Sequence, residues 1–576
     1  YLDGSSATHD GSATTALYTN WPDNSRISLG TSHDLQIYHD GSNSYIEETG
    51  TGNLFIESGN VYIRKDNKAE YMAYFVADGA VTLYHDNSVR FTTTATGIDV
   101  TGTVNGIPFF SDVTNNSMYT HDVSGTDSTA QYNTAYGFTA MDAISSGDNN
   151  TAIGFQAGSA INGGHQNTLV GSLAGDAITT GEKNVALGYS ALTTSVDGDY
   201  NTAIGYRALE DYEDGDSNGH NTAVGNSSQL NASTGTHNTS LGSLSMGSGV
   251  LTGDANVAIG YYAGHAMTTA FYNTIVGYQA GDALTIGNQN VAIGYEALST
   301  SVDGDHNVAV GYAALQDYED GDGNGFNTAV GSQSQANATT GEFNTSLGSL
   351  SMGSGVTTGD KNVAVGYQAG QTITSGAANT IMGSLAGDAL TTGYFNTAVG
   401  YQALSSSISG RNSTAFGYRA LLTENSTDTE TYNVAVGFDA GYLMSTGVEN
   451  TIVGSSAGDA LTTGGRNTAL GYAALSAEDA HSHNVAVGRN ALLVLNAGAD
   501  GYNVAVGSSA GEGLSTGVEN TLIGYQAGVA LTTGDNNVII GKDAAASAVG
   551  VDNETVIGTV ATLDAKVHGL VKPIRR

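Results

Sequence analysis

The sequence predicts an all-β protein: a parallel β-solenoid or β-roll of 25 coils of roughly 17 residues, in a homotrimeric rod with small N-terminal β modules. A five-residue phrase recurs at a nearly constant step, and residues alternate with period two inside it. The 576 residues also include 80 Gly, 3 Pro and no Cys. Glycine without a Gly-X-Y period argues against collagen, and so little proline argues against a disordered Pro-rich linker.

The phrase reads Asn, Thr or Val, a small or aliphatic residue, a larger apolar residue, and Gly, as in 150–154 and 362–366. Its first residue is Asn except at Ser413 and Glu554, its fifth is always Gly, and Ala or Ser follows three residues later. The 25 copies start at residues 133, 150, 167, 184, 201, 221, 238, 256, 273, 290, 307, 327, 344, 362, 379, 396, 413, 433, 450, 467, 484, 503, 520, 537 and 554.

The steps between copies themselves repeat. From residue 201 they run 20, 17, 18, 17, 17 and 17, and from residue 307 the same series follows, so that each block spans 106 residues. Duplication of a block is natural in a stack where each unit contacts only its neighbours.

Each coil is predicted to contain a strand of about five residues, a Gly turn, a second short strand and a Gly or Asp turn. Helical hairpin repeats are excluded because they need about 34 residues per unit. With about 4.8 Å between neighbouring strands, the stack would be about 115 Å long.

We number each coil from its phrase, so that Asn occupies position 1. Position 4 is always a large apolar residue, such as Ile153, Met382 or Phe416, and is predicted to form the interior ladder. The Asn ladder should stack its amides and satisfy turn backbone groups. The fixed Gly at position 5 should supply a positive φ or a close backbone approach.

Such a coil has a thin core, and its Ala-rich position-3 face is predicted to be covered by other copies of the chain. Closed cyclic symmetry is the usual solution, and three copies suit a thin rod. The alternative is a monomeric three-sided β-helix, which normally has six-residue sides and therefore 18 residues per coil. No hexapeptide rhythm is visible in the sequence.

The composition excludes several kinds of partner. The formal net charge is −38, with 17 Lys+Arg against 55 Asp+Glu. A surface this acidic repels phosphate backbones and anionic lipid headgroups. We therefore expect no nucleic acid partner and no membrane insertion. It is compatible with high salt or divalent cations.

Four regions are predicted. Residues 1–110 form the N-terminal β modules, which carry a His-Asp-Gly-Ser echo at 9–12, 39–42 and, as His-Asp-Asn-Ser, at 85–88. Alternating segments such as 54–57 and 61–64 predict short strands there. Residues 111–132 are a transition, 133–560 the repeat shaft, and 561–576 a C-terminal tail with a cluster of cations.

The segments 35–46 (Leu-Gln-Ile-Tyr-His-Asp-Gly-Ser-Asn-Ser-Tyr-Ile), 78–86 and 96–102 resemble tail fibres of marine phages, cyanophages among them. The phrase Asn-Thr-Ala-Ile-Gly resembles the head repeats of trimeric autotransporter adhesins. The residues up to Arg576 resemble the stretch before an endosialidase-type chaperone, a domain that is cut off after trimerisation. This resemblance implies that the gene continues beyond Arg576.

These resemblances imply a non-enzymatic, structural trimeric fibre for host attachment and receptor recognition, located in the virion tail and extracellular. Its expected partners are two further copies of itself, phage tail or baseplate proteins, and a glycan or protein of the host surface. The alternatives are a cellular surface adhesin or extracellular filament subunit and, secondly, a polysaccharide-degrading tailspike.

One metal site is predicted. The 20-residue steps that start at 201 and 307 contain Asp-x-Asp-x-Asn-Gly, the first half of a calcium-binding loop, and carboxylate and amide oxygens are the ligands that Ca²⁺ prefers. The bidentate Glu at loop position 12 is missing in both, so a solvated acidic bulge is the alternative. The candidate calcium ligands are Asp214, Asp216, Asn218, Asp320, Asp322 and Asn324.

Four other patterns have ordinary structural interpretations beside a functional one. The segments 454–458 and 507–511 match the Gly-x-Ser-x-Gly nucleophile elbow, which we interpret as repeat drift. The His-Asp-Gly-Ser echoes are interpreted as turns rather than catalytic triads. His481 and His483 form either a metal site or an exposed loop. The Tyr that often follows the fixed Gly is interpreted as ladder packing rather than a sugar-binding column.

Overall fold

The computed structural model describes residues 21–66, 69–101, 103–104, 107–108, 110–112, 116–120, 129–213, 219–319, 325–426 and 430–559. The chain divides into two compact units, Tyr1–Ile107 and Pro108–Arg576. All regular elements in the described ranges are β-strands, which confirms the all-β class.

The first unit contains two antiparallel meanders, one of three strands and one of five. Segment 61–64 lies in a strand as predicted, whereas 54–57 does not and its apolar side chains are exposed. The strands are β1 Arg26–Leu29, β2 Leu35–His39 and β3 Ser44–Glu48 in the first sheet, and β4 Asn60–Arg64, β5 Tyr71–Val76, β6 Val81–His85, β7 Ser88–Thr93 and β8 Ile98–Val100 in the second; β9 Thr103–Val104 and β10 Ile107–Pro108 follow.

In its described residues, the second unit is built on one sheet of 27 strands in sequence order. β11 pairs with β12 antiparallel, and every later pairing is parallel and in register, as where Thr151 faces Thr168. The strands are β11 Phe110–Asp112, β12 Ser117–Tyr119, β13 Thr134–Tyr136, β14 Thr151–Ile153, β15 Thr168–Val170, β16 Val185–Leu187, β17 Thr202–Ile204, β18 Thr222–Val224, β19 Thr239–Leu241, β20 Val257–Ile259, β21 Thr274–Val276, β22 Val291–Ile293, β23 Val308–Val310, β24 Thr328–Val330, β25 Thr345–Leu347, β26 Val363–Val365, β27 Thr380–Met382, β28 Thr397–Val399, β29 Thr414–Phe416, β30 Val434–Val436, β31 Thr451–Val453, β32 Thr468–Leu470, β33 Val485–Val487, β34 Val504–Val506, β35 Thr521–Ile523, β36 Val538–Ile540 and β37 Thr555–Ile557.

This stack confirms the parallel β-solenoid of about 25 coils of about 17 residues. Each coil has one strand of three residues at positions 2–4, so the second predicted strand is wrong for the described coils. The rest of the coil is a series of turns, because the backbone becomes left-handed at position 7 and again just before the next Asn. Gln156 has φ 54° and Gln166 has φ 61°. Hydrogen bonds still join the coils there, as from Gly158 N–H to Ala174 C=O at 2.9 Å.

The predicted inside and outside of the strand are reversed. Position 3, as in Ala152, is fully buried within the coil, whereas the position-4 residue Ile153 is 40% exposed. The large interior residue stands instead at position 12, as in Ile161, and packs with the small residues of positions 3 and 8. In most coils, the interior of 17 residues is too narrow to hold a large side chain from position 3 in addition to the one from position 12. The Ala-rich face is therefore covered by the chain itself and not by other copies.

The fixed Gly at position 5 is required on two counts. Gly154 has φ 142°, a conformation that side-chain-bearing residues rarely adopt. A Cβ on Gly154 would also lie 2.3 Å from the carbonyl oxygen of Gly171 in the next coil. The prediction of a positive φ or a close approach is confirmed in both parts.

Positions 3 and 9 compensate each other in size. Where position 3 is large, as at Leu169, glycines stand at position 9 of the same and the preceding coil. A Cβ on Gly158 or Gly175 would lie 2.7 Å or 2.9 Å from a Leu169 methyl group. Where position 3 is Ala186, position 9 is the buried Leu192, which takes the left-handed conformation at φ 56°.

The Asn ladder is confirmed and binds the coils in two directions. Oδ1 of Asn150 accepts the N–H of Asn167 in the next coil at 2.9 Å. Nδ2 of Asn150 donates to Gly164 C=O, 14 residues on, at 2.8 Å. The first bond joins successive coils, and the second closes each coil on itself. The oxygen and the nitrogen of the buried amide thus each have a hydrogen-bond partner, as burial requires.

Candidate functional site

The outer surface of the long sheet carries a continuous apolar stripe, which we call the outer stripe. It consists of the position-4 side chains, which point away from the coil interior in every described strand from β14 to β37 because position 3 points inward. The most exposed members are Ile153, Leu187, Leu241, Ile293, Leu347, Met382, Phe416, Leu470, Val506, Ile523 and Ile557, each between 37% and 61% exposed. Position 2 adds half-exposed Thr and Val beside it.

A column of aromatic side chains runs along position 6, directly after the fixed Gly. Tyr261, Tyr278, Tyr295 and Tyr312 stack in sequence with ring centroids 5.3–5.5 Å apart. Each inner ring has a neighbour on both faces, so a sugar could not stack on those faces. The interpretation as ladder packing is confirmed for these rings, although their edges remain exposed.

A second column, which sequence reasoning missed, consists of the residues that precede each Asn. They adopt φ near 60°, where Gly is favoured, yet none of those in the described coils is Gly. His220 lies between Tyr200 and His237, with ring centroids at 4.7 and 5.0 Å. In the duplicated block, His306, Phe326 and Phe343 stack in the same way, as do His483 and Tyr502. Stacking between coils offsets the backbone cost of the left-handed conformation.

The His-Asp-Gly-Ser echo at 39–42 is a turn, as interpreted. Oδ1 of Asp40 accepts the backbone N–H groups of Ser42 and Asn43 at 2.9 and 2.7 Å, and Tyr45 donates to Oδ2. The backbone bond from Asn43, followed by those from Ser42 and Tyr45, holds the pKa of Asp40 below its usual value. At 85–88 the turn between β6 and β7 places Asp86 in the left-handed region. The echo at 9–12 lies outside the described residues.

The two Gly-x-Ser-x-Gly segments occupy ordinary coil positions. Ser456 and Ser509 stand at position 7 and have φ of 52° and 56°, like Gln156 in its own coil. A strand precedes each segment, but turns follow it where a nucleophile elbow needs a helix. These segments therefore have the ordinary conformation of the repeat, which agrees with their interpretation as repeat drift.

The predicted calcium ligands cannot be placed. Asp214, Asp216, Asn218, Asp320, Asp322 and Asn324 all lie outside the described residues. The 20-residue coils around them are described and differ from the others at position 12, where Tyr212 and Tyr318 are fully buried. The calcium site stays a prediction.

In the described coils, two buried carboxylates stand at position 12, where Leu and Ile are the commonest residues. Glu424 lies in the coil of Ser413, and its Oε1 accepts the Ser413 hydroxyl at 2.8 Å. Burial raises the pKa of Glu424 to about 7, although Ser413, Thr431 and Asn433 stabilise its ionised form. Glu424 thus interacts with the Asn ladder at the level where Ser413 replaces the Asn. A comparison of the position-12 residues of all coils would have revealed this substitution in the sequence.

The second buried carboxylate, Glu478, lies beside a histidine. Its Oε1 is 2.7 Å from Nδ1 of His481. One ligand atom each from Glu478, Asp479 and His481 lies within 4.8 Å of the others. His483, the other histidine considered from sequence, is instead 3.8 Å from Asp500 and stacks on Tyr502. The structure therefore separates the two histidines and gives His481 two acidic neighbours.

No helix in the described part of the chain is long and apolar enough to cross a membrane. The surface features of the repeat unit are the outer stripe and the two aromatic columns, with the buried carboxylates beneath them. No family model matches the chain, and no curated protein matches it.

Proposed function

We propose that this chain is a structural, non-enzymatic subunit of a homotrimeric fibre that attaches a phage particle to its host. The observation that carries the proposal is the outer stripe, an apolar surface that follows the whole length of the long sheet. A single coil stack has a filled interior but leaves this stripe in water. Contiguous exposed apolar surface of this extent is typical of an interface.

The energy of the stripe is sufficient for association. Complete burial of an exposed Val, Leu or Ile side chain contributes about 1.5–3 kcal/mol, so a half-exposed one retains about 1 kcal/mol. Over some 25 coils the stripe offers on the order of 20 kcal/mol, above the ~4–15 kcal/mol that association costs. A stripe covered by equivalent stripes would therefore hold copies together firmly.

The repeat favours identical partners in register. All copies have the same coil spacing, so parallel copies can bring each stripe residue against its equivalent at every level. Cyclic symmetry closes such an interface without leaving a free stripe, and three copies suit a thin rod. An unequal spacing in a different partner would lose the match after a few coils.

The N-terminal unit supports the same conclusion. Its five-stranded sheet has one face with Ile63, Phe75 and Leu83, each about 40–47% exposed. Ala73 and Thr82 are the buried residues of this sheet among those described. A single sheet with so little burial is marginal by itself, so further copies would stabilise it.

The association can be tested by light scattering on the purified chain. We expect a mass about three times the 58.6 kDa of one chain. The double substitution Leu241→Glu and Ile293→Glu places charge on the stripe and should yield monomers. The control Ile286→Glu with Val302→Glu changes exposed apolar residues off the strand and should leave the trimer intact. A wild-type mass near 58.6 kDa would refute the trimer.

Location is tested separately, by mass spectrometry of purified particles and of cell-surface fractions. The phage proposal expects the chain with capsid and tail proteins. Recovery from cell surfaces alone would favour the cellular adhesin or filament subunit. Release of oligosaccharides from capsular polysaccharide by the purified trimer would favour the tailspike.

A further inference from the structure

The coil that begins at Asn467 departs from the repeat at three positions at once. It has Glu478 at position 12, where Leu and Ile are commonest, and Asp479 at position 13, where Thr is commonest. It also has His481 at position 15, which is commonly Gly. The coil still closes, because Nδ2 of Asn467 donates to His481 C=O at 2.9 Å. The closing bond uses the backbone of His481, so the three polar side chains take no part in it.

The fold brings these three departures together. The Glu478 side chain is fully buried, and its Oε1 accepts the His481 backbone N–H at 3.1 Å besides lying 2.7 Å from Nδ1. A ligand atom of Asp479 lies within 4.8 Å of ligand atoms of both. Asp479 is half-buried and His481 is 17% exposed, so the cluster lies between the core and the solvent.

The buried carboxylate of Glu478 is incompletely satisfied. Its second oxygen, Oε2, has no hydrogen-bond partner among the described residues. At the same coil position, Glu424 also has an Oε2 without a hydrogen-bond partner, but Ser413, Thr431 and Asn433 stabilise its ionised form. Among the described residues, the Glu478 side chain is hydrogen-bonded by His481 alone, and a buried carboxylate oxygen without a partner is costly.

We propose that Glu478, Asp479 and His481 bind a divalent transition-metal ion of the Zn²⁺ class. One imidazole nitrogen and two carboxylates are ligands that Zn²⁺ accepts, whereas Ca²⁺ and Mg²⁺ prefer oxygen alone. The cation would neutralise the buried carboxylate and engage its unpaired oxygen. Water would complete the coordination on the exposed side.

The geometry requires small movements only. Zn²⁺ bonds of about 2.0–2.2 Å place neighbouring ligand atoms about 3.3 Å apart in a tetrahedral site. The Glu478–His481 pair is closer than this at 2.7 Å, and a cation between the two would separate them slightly. Asp479 is half-buried, and the Thr462 N–H holds its backbone carbonyl, so a rotation of its side chain toward the ion would leave that backbone bond in place.

The test is calorimetric titration of the metal-free full chain with ZnCl₂ alone. We expect the wild type to bind one more Zn²⁺ per chain than the variant Glu478→Leu with His481→Gly. Both substitutions restore residues that other coils carry, so the variant should fold, which circular dichroism checks. Equal stoichiometry in the two proteins would overturn the proposal.

Two matched variants make the result specific. Glu424→Gln changes the other buried position-12 carboxyl, and His483→Gly changes the neighbouring histidine; each should keep the extra Zn²⁺. Loss of that ion in either of these two variants, or its retention in the Glu478→Leu and His481→Gly variant, would contradict the assignment. With Co²⁺ as a spectroscopic probe, a ligand-field absorption band should appear in the wild type and be absent from the Glu478→Leu and His481→Gly variant.

Discussion

At the scale of single residues, the asparagine at position 1 connects each coil to itself and to its neighbours. Asn167 donates from Nδ2 to Gly181 C=O at 2.8 Å, and its Oδ1 accepts the Asn184 N–H at 3.0 Å. Both partners are backbone groups, and all three residues are deeply embedded in the stack. A buried backbone group that loses its only partner costs more than an ordinary hydrogen bond contributes.

We therefore expect Asn167→Ala to lower the free energy of unfolding by about 2–4 kcal/mol, since two buried groups each lose a bond worth about 1–3 kcal/mol. Urea denaturation would measure the loss, and hydrogen exchange should show faster exchange at Asn184 N–H. Asn162→Ala is the matched control, because Asn162 is exposed. Similar losses in the two variants would contradict the role of the ladder.

Glu424 makes stability depend on pH in an unusual direction. Burial raises its folded pKa to about 7, above the ordinary value of 4.5 that the unfolded chain would have. Between pH 4.5 and 7 the folded state therefore holds a proton that the unfolded state has lost. Stability from this group is present below pH 4.5 and is lost as the pH rises to 7, by on the order of 3 kcal/mol.

The substitution Glu424→Gln should remove this dependence. Gln keeps an acceptor for the Ser413 and Thr431 hydroxyls and carries no charge, so we expect it to stabilise the protein at pH 8 and to have little effect at pH 4.5. Urea midpoints at the two pH values measure the difference. Glu519→Gln, at an exposed position, should show no such change between the two pH values. A destabilising effect of Glu424→Gln at pH 8 would contradict the assignment.

At the scale of the element, the side chains at positions 3 and 9 determine how each coil is filled. Leu169 occupies the space that Gly158 and Gly175 leave open, whereas Ala186 leaves room for Leu192. The same alternation recurs along the stack, with glycines on both sides of Ile275, Ile381, Ile452 and Leu522.

This complementarity predicts a change of sign in a double-mutant cycle. Leu169→Ala should cost about 2–5 kcal/mol by leaving a cavity. Gly175→Leu alone should also destabilise, because its Cβ would lie 2.9 Å from a Leu169 methyl group. In a background that carries Ile178→Ser, which removes the Cδ1 that would lie 2.8 Å from the new Cβ, the two substitutions reproduce the arrangement of Ala186, Leu192 and Ser195. In that background the double variant should therefore be more stable than either single variant. Additive losses in urea denaturation would refute the complementarity.

The residues of the repeat also explain how much of the coil could be predicted from the sequence. The recurring Asn and Gly revealed the repeat, its coil length and the two backbone roles, because those roles leave only one or two acceptable residues. The predicted orientation of the strand was wrong because both of its faces carry apolar residues, a small one at position 3 and a larger one at position 4. Only the width of the coil decides that Ala152 faces inward and Ile153 outward. The second strand was wrong because left-handed residues such as Gln156 are not glycines and give no turn signal.

The candidate sites were harder to predict for a different reason. The Glu478, Asp479 and His481 cluster depends on the side chain of position 12 pointing inward, which the reversed strand concealed. His481 and His483 were grouped by their spacing of two, but left-handed backbone at His483 breaks the alternation of a strand there. Turn chemistry at Asp40 was predictable because it acts on backbone groups two and three residues away.

At the scale of the whole molecule, charge opposes the association that the outer stripe favours. The chain has a formal net charge of −38, and a trimer would bring three such chains side by side. Few cations are available to offset this repulsion, since Lys and Arg together number 17. Salt weakens repulsion between exposed charges, with a Debye length of about 30 Å at 0.01 M and about 8 Å at 0.15 M.

The proposed trimer should therefore become more stable with ionic strength, unlike an assembly held by surface ion pairs. We expect the melting temperature and the trimer fraction to rise as NaCl increases from 0.01 to 0.15 M, with the same rise in choline chloride because the effect is screening. CaCl₂ and MgCl₂ at matched ionic strength separate screening from binding. A larger rise with Ca²⁺ that is lost in the variant Asp214→Asn, Asp216→Asn, Asp320→Asn and Asp322→Asn would support the predicted calcium loops. Melting that is independent of NaCl would show that the acidic surfaces lie too far apart to oppose assembly.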